Sequence, residues 1–138
     1  MATLEQALVS YLSAHAGLTA LISGRVYNRR VPQGATIPCL TFFRISTPRT
    51  HTMQTSGASG ELASPRFQFD AWATAPGTAK DITDQLRAAL NGKTGSIGTA
   101  PNSVTIRAGL VEDEADEEQD VDAALYRRRS DFVIWQEE

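Results

Sequence analysis

Side chains able to act as a general acid, a general base or a nucleophile are few in this chain: His15, His51, Cys39 and a scatter of serines. Such groups work in pairs within hydrogen-bond reach, held on a rigid support. His15 falls at the end of an expected helix, where its ring would meet the terminal carbonyls. His51 lies in a polar segment without helix or strand patterning, and Cys39, between Pro38 and Leu40 at a strand start, reads as a small buried apolar residue. A single cysteine excludes an internal disulfide, and with two histidines the chain has no Cys/His set for structural zinc. Gly57-Ala58-Ser59-Gly60 lacks the GK[ST] and the following helix of a phosphate loop.

The acidic run that begins at Glu112 has no glycine at the sixth position of a calcium loop, so it reads as a solvated hairpin tip. Of Arg127, Arg128 and Arg129, only the first and third can share one face of a strand, which denies the chain a continuous basic patch. Trp72 and Trp135 fit core or helix-covered positions. These residues predict no catalytic site, no cofactor and no metal, and therefore a protein that is not an enzyme.

What must position them is one domain spanning residues 1–138, a length that suits a single core. The apolar fraction of 41% and charged fraction of 21% are those of a globular domain, and no apolar run reaches the roughly 20 residues of a membrane span. The start at Met1 lacks the basic and apolar pattern of an export signal, so assembly is expected in a cytoplasm. Net charge is −3, unevenly spread: eight of the 16 acidic residues fall between Glu112 and Asp122, just ahead of the arginines.

Thr3 and Gln6 have capping-box spacing, and Leu4, Ala7, Leu8, Tyr11 and Leu12 form the apolar stripe of a helix from about Leu4 to Ala16, with Gly17 as its stop. Leu18, Leu21 and Ile22 suit one further helical turn. Val26-Tyr27 is a short strand, and Cys39 to Ile45 a second one rich in aromatic and β-branched residues. Thr47 to Pro65 is too polar for a core and reads as a long loop or extended arm. Arg66 to Ala73 is a strand with Phe67, Phe69 and Ala71 on one face. Pro76 opens a second helix whose stripe Ala79, Ile82, Leu86, Ala89, Leu90 ends at Asn91-Gly92. Val104 to Val111 and Tyr126 to Trp135 are strands flanking the acidic run, too close in sequence for a crossover helix and so antiparallel. The expectation is an α+β fold: a single mostly antiparallel sheet of at least four strands, with two main helices packed on one face.

The segments Arg25-Val26-Tyr27, Pro32-Gln33-Gly34-Ala35, Pro65-Arg66-Phe67-Gln68-Phe69-Asp70-Ala71-Trp72 and Leu125-Tyr126-Arg127-Arg128, in this order from Leu4 to Trp135, resemble the phage tail-completion and tail-terminator family. The heavier acidic run and a third arginine, Arg129, depart from it. The resemblance implies a virion structural protein of a long-tailed phage or gene-transfer-agent-like particle. It implies a homo-oligomer, a hexameric ring that caps the tail tube, stops its growth and joins it to the head-tail connector or stopper at the head-proximal end. DNA would pass through that ring without specific binding, and no membrane is involved. Another connector or tube subunit, or a stand-alone binding module, is the alternative. Partner contacts are expected from the arm at Arg49, His51 and Met53, from Glu112, Asp113, Glu114, Asp116, Glu117 and Glu118, and from Arg127 and Arg129. The acidic run would face the lumen or an adjacent ring, and the unlike charges would supply the two different faces that a ring contact needs.

Overall fold

The computed structural model describes residues 3–29, 34, 37–50, 62–99, 103–120 and 125–137. Helix α1, Leu4–Ala14, opens on a complete capping box: the Gln6 amide donates to Thr3 Oγ1 at 3.2 Å and the Thr3 amide donates to Gln6 Oε1 at 2.9 Å. The helix stops earlier than its sequence predicts. His15 is extended (φ −71, ψ 121), and α2, Ala16–Ile22, restarts beyond it. Gly17 therefore lies inside α2 and is not the stop. A Cβ there would stand 2.0 Å from Gln85 Oε1, so α2 passes close to α3 at this point. The break at His15 turns Leu18 and Ile22 onto the same core as Leu8 and Leu12. Helix α3, Pro76–Leu90, has proline in its first turn, ends at Asn91-Gly92 as expected, and buries Ala79, Ile82, Thr83, Leu86, Ala89 and Leu90.

The main sheet carries the three helices of the described residues on one face. Its strands are β1 (Val26–Asn28), β2 (Cys39–Ser46), β3 (Arg49–Thr50), β4 (Leu62–Ala63), β5 (Arg66–Ala73), β8 (Ala108–Asp120) and β9 (Leu125–Glu137). Strand β1 runs parallel to β2, and β2–β5, β5–β9 and β9–β8 are antiparallel. A separate pair, β6 (Gly95–Ile97) with β7 (Val104–Ile106), completes the α+β fold. The period-two alternation of β5 and β9 puts Phe67, Phe69, Phe132 and Ile134 under the helices. Phe42 lies 5.5 Å from Phe69, which meets Phe132 edge-on at 5.4 Å.

Three further expectations need correction. The strand drawn from Val104 to Val111 is two strands, broken at Arg107, whose amide donates to the Trp135 carbonyl at 2.6 Å. Trp72 and Trp135 are not beneath the helices: each alternates with buried core residues and so lies on the helix-free face, where Trp72 Nε1 donates to Thr41 Oγ1 at 2.9 Å. The acidic run is not a tip, because residues 112–120 belong to β8 and are paired along β9. Low strand propensity is overridden there by an established antiparallel partner carrying the opposite charge.

The arm is also less irregular at its root than its composition suggests. Arg49↔Ala63 and Thr50↔Leu62 extend the β2–β5 hairpin, and Leu62↔Glu137 and Ala63↔Gln136 bind it to the end of β9. No helix among the described residues is long and apolar enough to cross a membrane.

Candidate functional site

The charged ribbon β8–β9 brings together most of the side chains singled out by sequence. A bulge between Val111 and Asp113 leaves Glu112 as the extra residue and shifts the alternation that follows. Glu112 reaches Arg66 at 2.8 Å, Asp113 meets Arg129 at 3.4 Å, and Glu114 takes Arg87 at 3.4 Å and Arg128 at 3.7 Å. Further along, Asp116 stands opposite Arg128, Glu117 opposite Arg127 and Glu118 opposite Tyr126 in the backbone register. Half-exposed pairs of this kind contribute at most about 1 kcal/mol each, so the ladder sets register more than it adds stability.

Arg127 and Arg129 do share the helix-free face, but there they serve ion pairs within the subunit. Arg127 lies 3.9 Å from Asp70 and 5.6 Å above the Trp72 ring, and Arg129 lies 3.9 Å from Asp131. Asp70 is only 5% exposed, and its burial raises the carboxyl pKa against the opposing pull of Arg127 and of the Gln68 amide. Arg128 points the other way, toward α3 and Glu114. Sequence alternation separated it from its neighbours without revealing this partner, because Glu114 changes face only through the bulge.

Of the arm residues, Arg49 lies exposed in β3, and His51 and Met53 lie outside the described residues. His15 does not cap α1 with its ring. The ring stands edge-on to Tyr11 at 6.3 Å, and the buried Nδ1 makes no hydrogen bond among the described groups. Cys39 is fully buried, and burial pushes its thiol up to about 11, far from the range of a nucleophile at neutral pH. Among the described residues no cluster of His, Cys, Asp or Glu could hold a metal ion.

Sequence reasoning missed Arg44, which pairs with Glu5 and lies 5.3 Å above the Phe67 ring, tying α1 to the sheet. It also missed Ile45 and Leu110, two large apolar side chains each 45% exposed. Strand periodicity assigns such residues a face but does not say that one face of the sheet has no helices.

The arrangement suits contact between proteins: an open sheet face and a long, charged, register-locked hairpin. Among solved structures, 24 chains match this fold. One is in the virion of a native gene transfer agent particle: it is similar at 20% identity and a TM-score of 0.68, with 98% of this chain and 95% of that chain covered. A search of curated proteins gives no match. The sequence profile of the tail completion protein gp17 family matches residues 6–137, nearly the whole length. This chain, a structural tail protein of a phage or phage-like virion, thus belongs to the tail completion protein gp17 family.

Proposed function

We propose that the chain is a tail terminator: a hexameric ring that caps the tail tube, stops its polymerisation and joins it to the head-tail connector or stopper at the head-proximal end, after assembly in the bacterial cytoplasm. The family match over residues 6–137 carries this reading. The charge-segregated ribbon and the arm rooted on β9 support it, as they equip one subunit with unlike surfaces for a neighbour and for the tube. The subunit works by shape and charge, and needs no chemistry. DNA crosses the ring without specific recognition, and the chain's net charge of −3 gives a polyanion no reason to adhere. On this reading the partner-facing residues are Arg49, His51 and Met53 of the arm, Glu112, Asp113, Glu114, Asp116, Glu117 and Glu118 of β8, and Arg127 and Arg129 of β9, the last two also tied to Asp70 and Asp113 within the subunit.

Size-exclusion chromatography and negative-stain imaging of the purified chain, alone and with tube protein, test it. A terminator gives one finite ring or a monomer that closes into a ring on tube ends, and particles lacking it carry tails of uncontrolled length. Open-ended polymerisation of the chain alone would instead identify a tube subunit.

A further inference from the structure

The two outer strands of the main sheet fit each other. Backbone register can be followed across all five strands: Tyr27 is level with Thr41, Asp70, Arg129 and Ala115, and Val26 is level with Leu40, Ala71, Arg128 and Asp116. By the same rows Asn28 is level with Glu114, since Asn28↔Phe42, Phe42↔Phe69, Phe69↔Ser130 and Ser130↔Glu114 are partners. One residue beyond on each side, Arg25 and Arg29 of the β1 edge stand at the levels of Glu117 and Asp113 of the β8 edge. Arg29 is exposed, and the Asp113 side chain is 57% exposed.

Hydrogen-bonding directions match as well. The Arg29 amide donates to the Phe42 carbonyl at 2.6 Å and the Leu40 amide to the Arg25 carbonyl at 3.0 Å, so the backbone groups of Tyr27, and of Arg25 and Arg29 just beyond either end of β1, point toward β2. Val26 and Asn28 therefore face out. The Val26 amide is taken by the Gly24 carbonyl at 2.9 Å, which among the described residues leaves the Val26 carbonyl and both groups of Asn28. On β8, the Gly109 amide turns outward to the Lys93 carbonyl at 3.0 Å and the Val111 amide to Asn91 Oδ1 at 3.1 Å. Past the bulge the outward set becomes Glu114, Asp116 and Glu118. These are the residues level with Asn28 and Val26.

Along the sheet β1 and β2 run one way, β5 the other, β9 back again and β8 opposite to β1. A copy placed beside β8 without rise thus presents its β1 antiparallel to β8. A closed ring has no net rise from one subunit to the next, so with strands along the ring axis it is level residues that meet. We propose that β8 of one copy pairs antiparallel with β1 of the next, with Asn28 opposite Glu114, Val26 opposite Asp116 and Tyr27 opposite Ala115. Arg29 and Arg25 then flank Asp113 and Glu117, and the sheets join edge to edge around the ring.

The inference rests on the ring reading and deepens it by naming the contact. A two-fold contact of β8 with itself would set carboxylates against carboxylates, which disfavours a symmetric dimer and leaves the basic edge as the partner. A concavity of about 500 Å³ lined by Thr3, Glu5, Gln6, Val9, Ser10 and Asn28 lies where α1 meets the end of β1.

The test uses the full chain carrying Cys39→Ala with Tyr27→Cys and Ala115→Cys. Within one chain these positions lie four strand spacings apart, roughly 19 Å, too far for a disulfide. Across the proposed contact they form a non-hydrogen-bonded pair, close enough to bridge. Oxidation of rings assembled on tube protein should give a ladder of covalent oligomers ending at the ring size, and neither single cysteine variant should give it. Arg29→Glu should abolish ring formation while leaving the monomer folded, whereas Arg29→Lys, which keeps the charge, should retain it. Rings that form without the ladder would overturn the edge pairing and leave the terminator reading standing. A wild-type chain that forms no ring on tube ends would overturn both.

Discussion

At Cys39 the structure turns a bland reading into a measurable one. The side chain is fully buried beside Trp72 in the register of β2 and β5, and its thiol keeps its proton to about 11, against an ordinary value of 9.0. Between those values the unfolded chain binds fewer protons than the folded one, so stability falls as pH rises, by up to about 1.4 kcal/mol per pH unit. Denaturant melts from pH 8 to 11 should show that slope, and Cys39→Ala should reduce it to the smaller one that burial of the Tyr11 hydroxyl contributes at the upper end. Alkylation of the native protein at pH 7.5 should be undetectable until it unfolds. The residue's burial was legible from its neighbours Pro38 and Leu40, as the capping box was from Thr3 and Gln6. Gly17 was misread because glycine serves equally as a helix stop and as a site of close approach, and only the position of Gln85 on α3 separates the two.

Helix α3 was the most legible element, with proline at the start, a stripe of five apolar residues and Asn91-Gly92 at the end. Leu86 lies fully buried in that stripe, 1% exposed, and Leu86→Ala should destabilise by about 2–5 kcal/mol. In a thermal melt this is a drop in Tm of roughly 10 °C, and an unchanged Tm would mean that the stripe does not pack on β5 and β9. Strand β8 was the least legible. A run such as Glu112-Asp113-Glu114-Ala115-Asp116 has neither strand propensity nor apolar alternation, and its conformation comes from the arginines of β9, Arg66 and Arg87. Sequence patterning reports which face of an element is apolar, whereas the order imposed by a neighbouring charged strand becomes visible only when the two are side by side.

For the molecule as a whole, the layer arrangement followed from the sequence because all three helices carry an apolar stripe and β2, β5 and β9 supply one aromatic face to cover. The helix-free face and the two sheet edges were not legible, since strand patterning does not say which side of a sheet the helices cover or which strands lie outermost. Deleting 52–61 while keeping the β3–β4 pair should leave the Tm within about 2 °C, as that stretch has a single large apolar residue, Met53. The same deletion should block joining of tails to heads, and normal-length, functional particles from it would sink the role given to the arm. A last consequence follows from the place of β9. It is the latest strand in chain order, yet it is hydrogen-bonded to β5 and β4 on one side and to β8 on the other. On the ribosome, a growing chain can prepare α1, α2 and the β2–β5 hairpin, but the sheet closes only once residues 125–137 have emerged. If the β8 edge is the ring contact proposed above, a chain cut short before 125 has no ordered edge to offer, and co-expressing such a fragment with the full chain should leave ring formation by the full chain unimpaired.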